Sequence, residues 1–188
     1  MKRSTEQIVT THTGSLPRPR ELAAALERRD RGEGADADLD AQVRDAVIDV
    51  VRRQAQVGVD VVNDGEAGKI GYSTYVKERL DGFGGEGAPH RPPPEAEDFP
   101  EYWESRGEGH GAATPACTGP LVYRDTDAVR ADIANLKAGL DAAGISDAFM
   151  SAASPGVIAL FLENQHYPSH EEYVWALADT MKTEYATT

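Results

Sequence analysis

Polar residues able to do chemistry cluster where a short apolar run stops. Residues 57–75 read VGVDVVNDGEAGKIGYSTY, so the run at 59–62 breaks into Asn63, Asp64, Gly65 and Glu66. A buried strand ending in carboxylates, an amide and glycine is how α/β enzymes present polar groups to a ligand. Glu66 is therefore the first candidate ligand-binding residue. The other candidates are His12 and Ser15, Cys117 and Thr118, and Ser151 and Ser154, each at or just after another apolar stretch. Each also has an ordinary structural explanation. His12 can satisfy a backbone carbonyl, Cys117 can be a small buried apolar residue, and Asp64 and Glu66 can cap turns or helices. His12, Glu66 and Cys117 are of types that suit zinc, although nothing in their spacing is diagnostic of a metal site. Phosphate-loop, HExxH and dinucleotide-binding patterns are absent.

These residues need elements to hold them. Residues 7–11 (QIVTT) predict a β-branched strand, and a glycine with two prolines over 12–19 predicts a loop. Residues 21–29 form a short helix in this reading, followed by a charged loop over 30–38. Residues 39–57 are the clearest helix, with Leu39, Val43, Val47, Val50 or Val51, and Val57 recurring at three- and four-residue spacing. Gly58 closes it, and the strand at 59–62 follows at once. Further strands are expected near Val122 and Phe149. Between them a helix capped by Thr126 or Asp127 carries Val129, Ile133, Leu136 and Leu140 and ends at Gly144. Ser169, with Glu172 three residues on, predicts a capping box and a last helix burying Tyr173, Leu177, Met181 and Tyr185.

Four strands, each followed by a loop and a helix, predict a parallel α/β sheet with function at the carboxyl ends of the strands. The chain reads as one domain over 1–188. Residues 82–115, dense in glycine and proline and including Pro92-Pro93-Pro94, read as a long insertion or lid. Phe99, Tyr102 and Trp103 suggest that this segment packs on something.

Composition narrows the partners. The net charge of −13, from 32 acidic and 19 basic residues, disfavours nucleic acid and anionic membranes. The single cysteine excludes an internal disulfide and suits a reducing cytoplasm, the expected location. No run reaches the roughly 20 apolar residues of a membrane span.

Taken together, the motifs resemble the cobalamin-independent methionine synthase family. The segment 10–19 (TTHTGSLPRP) is similar to its first-strand signature and 59–66 (VDVVNDGE) to its second-strand motif, with Thr118-Gly119-Pro120 and Ser154-Pro155-Gly156 also fitting. The resemblance implies a (β/α)8 TIM-type barrel, of which about four βα units are present. It also implies methyl transfer from a methylated folate to a thiol such as homocysteine, a methionine-biosynthetic reaction, with zinc binding the thiol as thiolate. Under it, Glu66 binds the substrate ammonium, and Thr13, Gly14 and Ser15 contact the amino-acid end of the substrate. His12, Asp64, Cys117 and Ser154 would line the site. The family's zinc ligands come from later strands, so no metal ligand is assigned in this chain. A truncated half barrel, a second polypeptide or a homodimer completing the barrel are the arrangements this implies. The alternatives are a related thiol alkyltransferase and a non-catalytic amino-acid-binding or assembly module.

Overall fold

The computed structural model describes residues 3–34, 37–88, 95–105 and 114–188, with the side chain of Trp103 outside the description. Pro92-Pro93-Pro94 also lies outside the described residues. In chain order the elements are α1 (Arg20–Asp30), α2 (Leu39–Gln56), a 3-10 turn (Tyr75–Glu78), β1 (Leu80–Gly84), α3 (Glu95–Asp98), α4 (Pro100–Ser105), β2 (Ala116–Tyr123), α5 (Asp127–Ala143), α6 (Pro155–Phe161) and α7 (His170–Thr187). The chain divides into two compact units.

The first unit comprises Met1–Tyr75, Asp125–Ala153 and Thr183–Thr188. Here α1, α2 and α5 pack around a core that includes Leu22, Leu26, Val43, Val47, Val51 and Leu136. The α2 stripe continues through Gln54 rather than Val57. Val57 lies past the helix end and is 78% exposed, whereas Gln54 is 5% exposed. A buried amide is tolerable only when bonded, and both ends of Gln54 are used: Oε1 accepts from Asn63 N at 3.2 Å and Nε2 donates to Asn63 O at 2.7 Å. Gly58 and Gly144, at φ +85° and +67°, close α2 and α5 in the left-handed form that glycine adopts without a side-chain clash.

Parallel bridges join Thr11 to Val61 and Val62 to Ala148. Val61 and Val62 are thereby flanked on both sides, which explains why a run with no polar face is buried there. The pairing is parallel as expected, but it is limited to single bridges rather than long ladders. The strand expected near Phe149 contracts to the bridge at Ala148.

The second unit comprises Val76–Arg124 and Ser154–Lys182. It corrects the expected third strand. β2 pairs antiparallel with β1, matching Leu80 to Tyr123 and Gly84 to Ala116, so the Val122 segment has an antiparallel neighbour where a parallel one is expected. The register shifts between Asp81 and Phe83. Gly82 sits at that shift with φ +101°, and a Cβ there would stand 2.6 Å from Pro120 O, so only glycine fits. Beyond the ribbon, Cys117 makes a parallel bridge with Asn164.

α6 was not anticipated as a helix. Ser154 Oγ accepts from Val157 N at 3.3 Å and Pro155 occupies the first turn, which is a helix start rather than a strand end. Ser169 Oγ accepts from Glu172 N at 3.1 Å as the sequence predicts, and Tyr173, Leu177 and Met181 are fully buried. Tyr185 instead remains 42% exposed, and Glu184 takes the buried position. Two short helices, α3 and α4, interrupt the supposedly irregular 82–115 segment, and Phe99 and Tyr102 on it are exposed. No helix among the described residues is long and apolar enough to cross a membrane.

Candidate functional site

The site lies in the first unit, where residues 63–69 leave the central bridged segment. Asn63 organises the exit. Its Nδ2 donates to His12 O at 2.5 Å and its Oδ1 accepts from Gly65 N at 2.8 Å. Asp64 Oδ1 accepts from Glu66 N at 3.0 Å. These short-range side-chain acceptors replace ladder bonds and let the chain reverse, as Asn and Asp do in turns.

The reversal is unusual at its centre. Gly65 and Glu66 both have left-handed backbones, φ +60° and +55°, and Glu66 is the one non-glycine with positive φ among the described residues. A carboxylate residue in this region carries strain of order 1 kcal/mol or more and persists only when its surroundings impose it. The surroundings are identifiable. Leu16 N donates to Gly65 O at 3.0 Å, seating the first loop on the turn. Arg18 then holds three carbonyls of the turn: Nη2 donates to Glu66 O at 2.8 Å and Lys69 O at 2.6 Å, and Nε donates to Ala67 O at 3.2 Å. Burial lowers the Arg18 pKa, and the nearby Glu66 and Asp64 carboxylates oppose that shift.

Glu66 is 5% exposed, and Ser15 Oγ donates to its Oε2 at 2.5 Å. Its Oε1 accepts no hydrogen bond from the described residues. Glu66 lines a cavity of about 450 Å³ together with Thr13, Gly14, Lys69, Tyr72, Tyr75 and Phe149, closed by residues 150–152. Tyr75 is fixed in that wall, its hydroxyl donating to Glu184 Oε1 at 2.5 Å and accepting from Ala153 N at 3.3 Å. A cavity with an apolar aromatic wall and a few convergent charges is the usual build of a small-molecule site.

Thr13, Gly14, Ser15 and Glu66 thus come together. His12 and Asp64 have other positions. His12 Nε2 pairs with Gly14 O at 3.0 Å, and His12 lines a separate cavity of about 340 Å³ with Leu16, Pro17 and Val59. Asp64 serves the turn. Cys117 and Ser154 belong to the second unit. There Ser154 caps α6, and Cys117 is buried with Sγ 3.5 Å from Gly119 O. Burial pushes the Cys117 thiol pKa up, against the pull of that hydrogen bond, so the thiolate needed for metal binding or attack is disfavoured. Lys69, Tyr75 and Arg18 were not singled out as site residues from sequence. The available signal was a lysine between Gly68 and Gly71, directly after the carboxylates.

The zinc that the family resemblance implies does not fit these residues. Among the described residues no group of three or more His, Cys, Asp or Glu side chains is arranged to hold a metal ion. His12, Asp64, Glu66 and Cys117 are each engaged in the hydrogen bonds given above.

The fold is similar to about half of each of two solved structures. The chain aligns with a B12-independent methionine synthase from Shewanella sp. W3-18-1, solved with selenomethionine, at a TM-score of 0.69 and 21% identity, covering 94% of this chain and 47% of that one. A putative vitamin-B12 independent methionine synthase from Listeria monocytogenes aligns at a TM-score of 0.58 and 20% identity, over 96% of this chain and 48% of that one. Residues 8–88 match the model of the family described as Cobalamin-independent synthase, Catalytic domain. Methionine synthases of Pyrococcus furiosus and Sulfolobus acidocaldarius are 34% and 38% identical over 76 residues. That stretch is 40% of this chain and 22% of each relative, so the chain spans well under two thirds of the proteins it matches.

Proposed function

We propose that this chain is the amino-acid-binding part of a methionine-synthase-like transferase, moving a methyl group from a methylated folate to a thiol such as homocysteine. In this reading Glu66 receives the substrate ammonium on Oε1, while Ser15 holds Oε2. A carboxylate already turned toward a cavity by its own backbone needs no rearrangement when a cation arrives, which favours recognition. Thr13 and Gly14 border the substrate's amino-acid end, and the aromatic wall excludes water. Metal ligands come from outside these residues, in the remainder of the barrel that surrounds the thiol. Residues 82–115 are an insertion in that barrel.

The observation that carries the reading is Glu66 itself: a buried carboxylate, held in a left-handed turn by Arg18 and Ser15, on the wall of a ligand-sized cavity. The family match over 8–88 spans the same turn and supports the assignment. Calorimetry with homocysteine and methionine tests it. The wild-type chain should bind, and Glu66→Gln should weaken binding by about tenfold or more, the scale of one charge-assisted hydrogen bond. Absence of binding to either amino acid, or an unchanged affinity in Glu66→Gln, removes the reading.

A further inference from the structure

Lys69 lines the same cavity as Glu66 and is 3% exposed. Its Nζ donates to Ser151 O at 2.6 Å and lies 5.0 Å from the centroid of the Tyr75 ring. No carboxylate pairs with it among the described residues. An ammonium has three donors, so one carbonyl and one ring face leave it with donor capacity to spare and no carboxylate in direct contact. A buried cation is costly to hold without a directly paired counter-charge. Folded proteins rarely keep such a group without pairing it. The missing counter-charge has one open place beside it, the cavity.

We infer that Lys69 is an anion-binding, specificity-determining residue, and that the ligand of this cavity carries an anionic group such as a carboxylate. With Glu66 three residues earlier on the same wall, the pair selects a zwitterion: ammonium toward Glu66, carboxylate toward Lys69, side chain along Tyr72 and Phe149. The inference rests on the proposed function only for the ammonium half. The turn explains the placement. Arg18 Nη2 grips Lys69 O at 2.6 Å, so the backbone of Lys69 is fixed by the same guanidinium that fixes Glu66. Tyr75 is fixed in turn through Glu184 and Ala153. Both charges therefore stand on a prearranged frame.

A purely structural role is the competing account, with Lys69 tying the 64–69 turn to Ser151. It would make Lys69 matter for stability and leave ligand charge irrelevant. Four probes separate the two: methionine, its decarboxylated amine, its deaminated acid, and the neutral amide of that acid. In wild type the acid should bind about tenfold or more tighter than the amide. Lys69→Met should abolish that preference without weakening amine binding, while Lys69→Arg should restore part of it. Equal affinity for acid and amide in wild type, binding of neither, or a preference that survives in Lys69→Met overturns the inference. The wild-type comparison decides the matter even if Lys69→Met does not fold. Acid binding that depends on Lys69, with no contribution from the ammonium or from Glu66, would sink the amino-acid reading and leave the anion site standing. The reverse pattern would sink Lys69 alone.

Discussion

Glu66 is the residue through which sequence, strain and site meet. The family motif fixes its position in the chain, but its left-handed backbone depends on contacts from residues nearly fifty positions away. Arg18 supplies most of them, which makes it the residue to perturb. Arg18→Met retains the apolar stem and removes all three carbonyl contacts. Stability should fall by about 2–3 kcal/mol, the scale of charged hydrogen bonds with part of the loss recovered by water. Urea unfolding measures this, and amino-acid binding should weaken alongside because the turn loses its clamp. Unchanged stability and unchanged binding would mean that Gly65 and the Asn63 and Asp64 side chains hold the turn by themselves.

At the scale of elements, the frame beneath the site depends on how closely α2 approaches α5. Gly139 lies on the contact face of α5, and a Cβ there would stand 2.9 Å from Val51 Cγ2 and 3.0 Å from Val51 Cβ. Two effects compete in Gly139→Ala. Helix propensity favours alanine by about 1 kcal/mol, while overpacking costs about 1–3 kcal/mol. Val51 is fully buried and β-branched, with little rotamer freedom to give way, so the steric term wins. A net destabilisation of about 1–2 kcal/mol is expected. A thermal melt showing Gly139→Ala at or above wild type would contradict that close packing. Helices such as α2 and α5 were legible because periodicity marks an apolar stripe directly. β2 was not: an apolar run does not say which neighbour it pairs with or in which direction. Pro120 inside the run was the warning, since proline in a strand marks an edge or an irregularity. The Ser154-Pro155 start of α6 is a signal of the same local kind, a capping serine followed by proline in the first turn.

For the whole molecule the governing quantity is charge. A net −13 makes the folded chain repel itself more than the expanded one. Surface charges are screened once the Debye length shrinks to about 10 Å near 0.1 M salt. Raising sodium chloride from about 0.01 M to about 0.3 M should therefore raise the melting temperature by a few degrees, scaled from about 1 kcal/mol of relieved repulsion. A melting temperature that falls with salt would show that specific ion pairs outweigh the net charge. The sequence by itself determined the long helices α1, α2, α5 and α7, the apolar run that stops at Asn63, Glu66 and Ser15 as candidate site residues, and the family resemblance. All of these depend on residue type and local spacing. Only the tertiary structure decided that Val122 pairs antiparallel, that Arg18 clamps the turn, that Asp64 serves the backbone, and that Lys69 shares the cavity with Glu66. Those outcomes depend on distances between residues far apart in the chain, and local spacing carries no information about them.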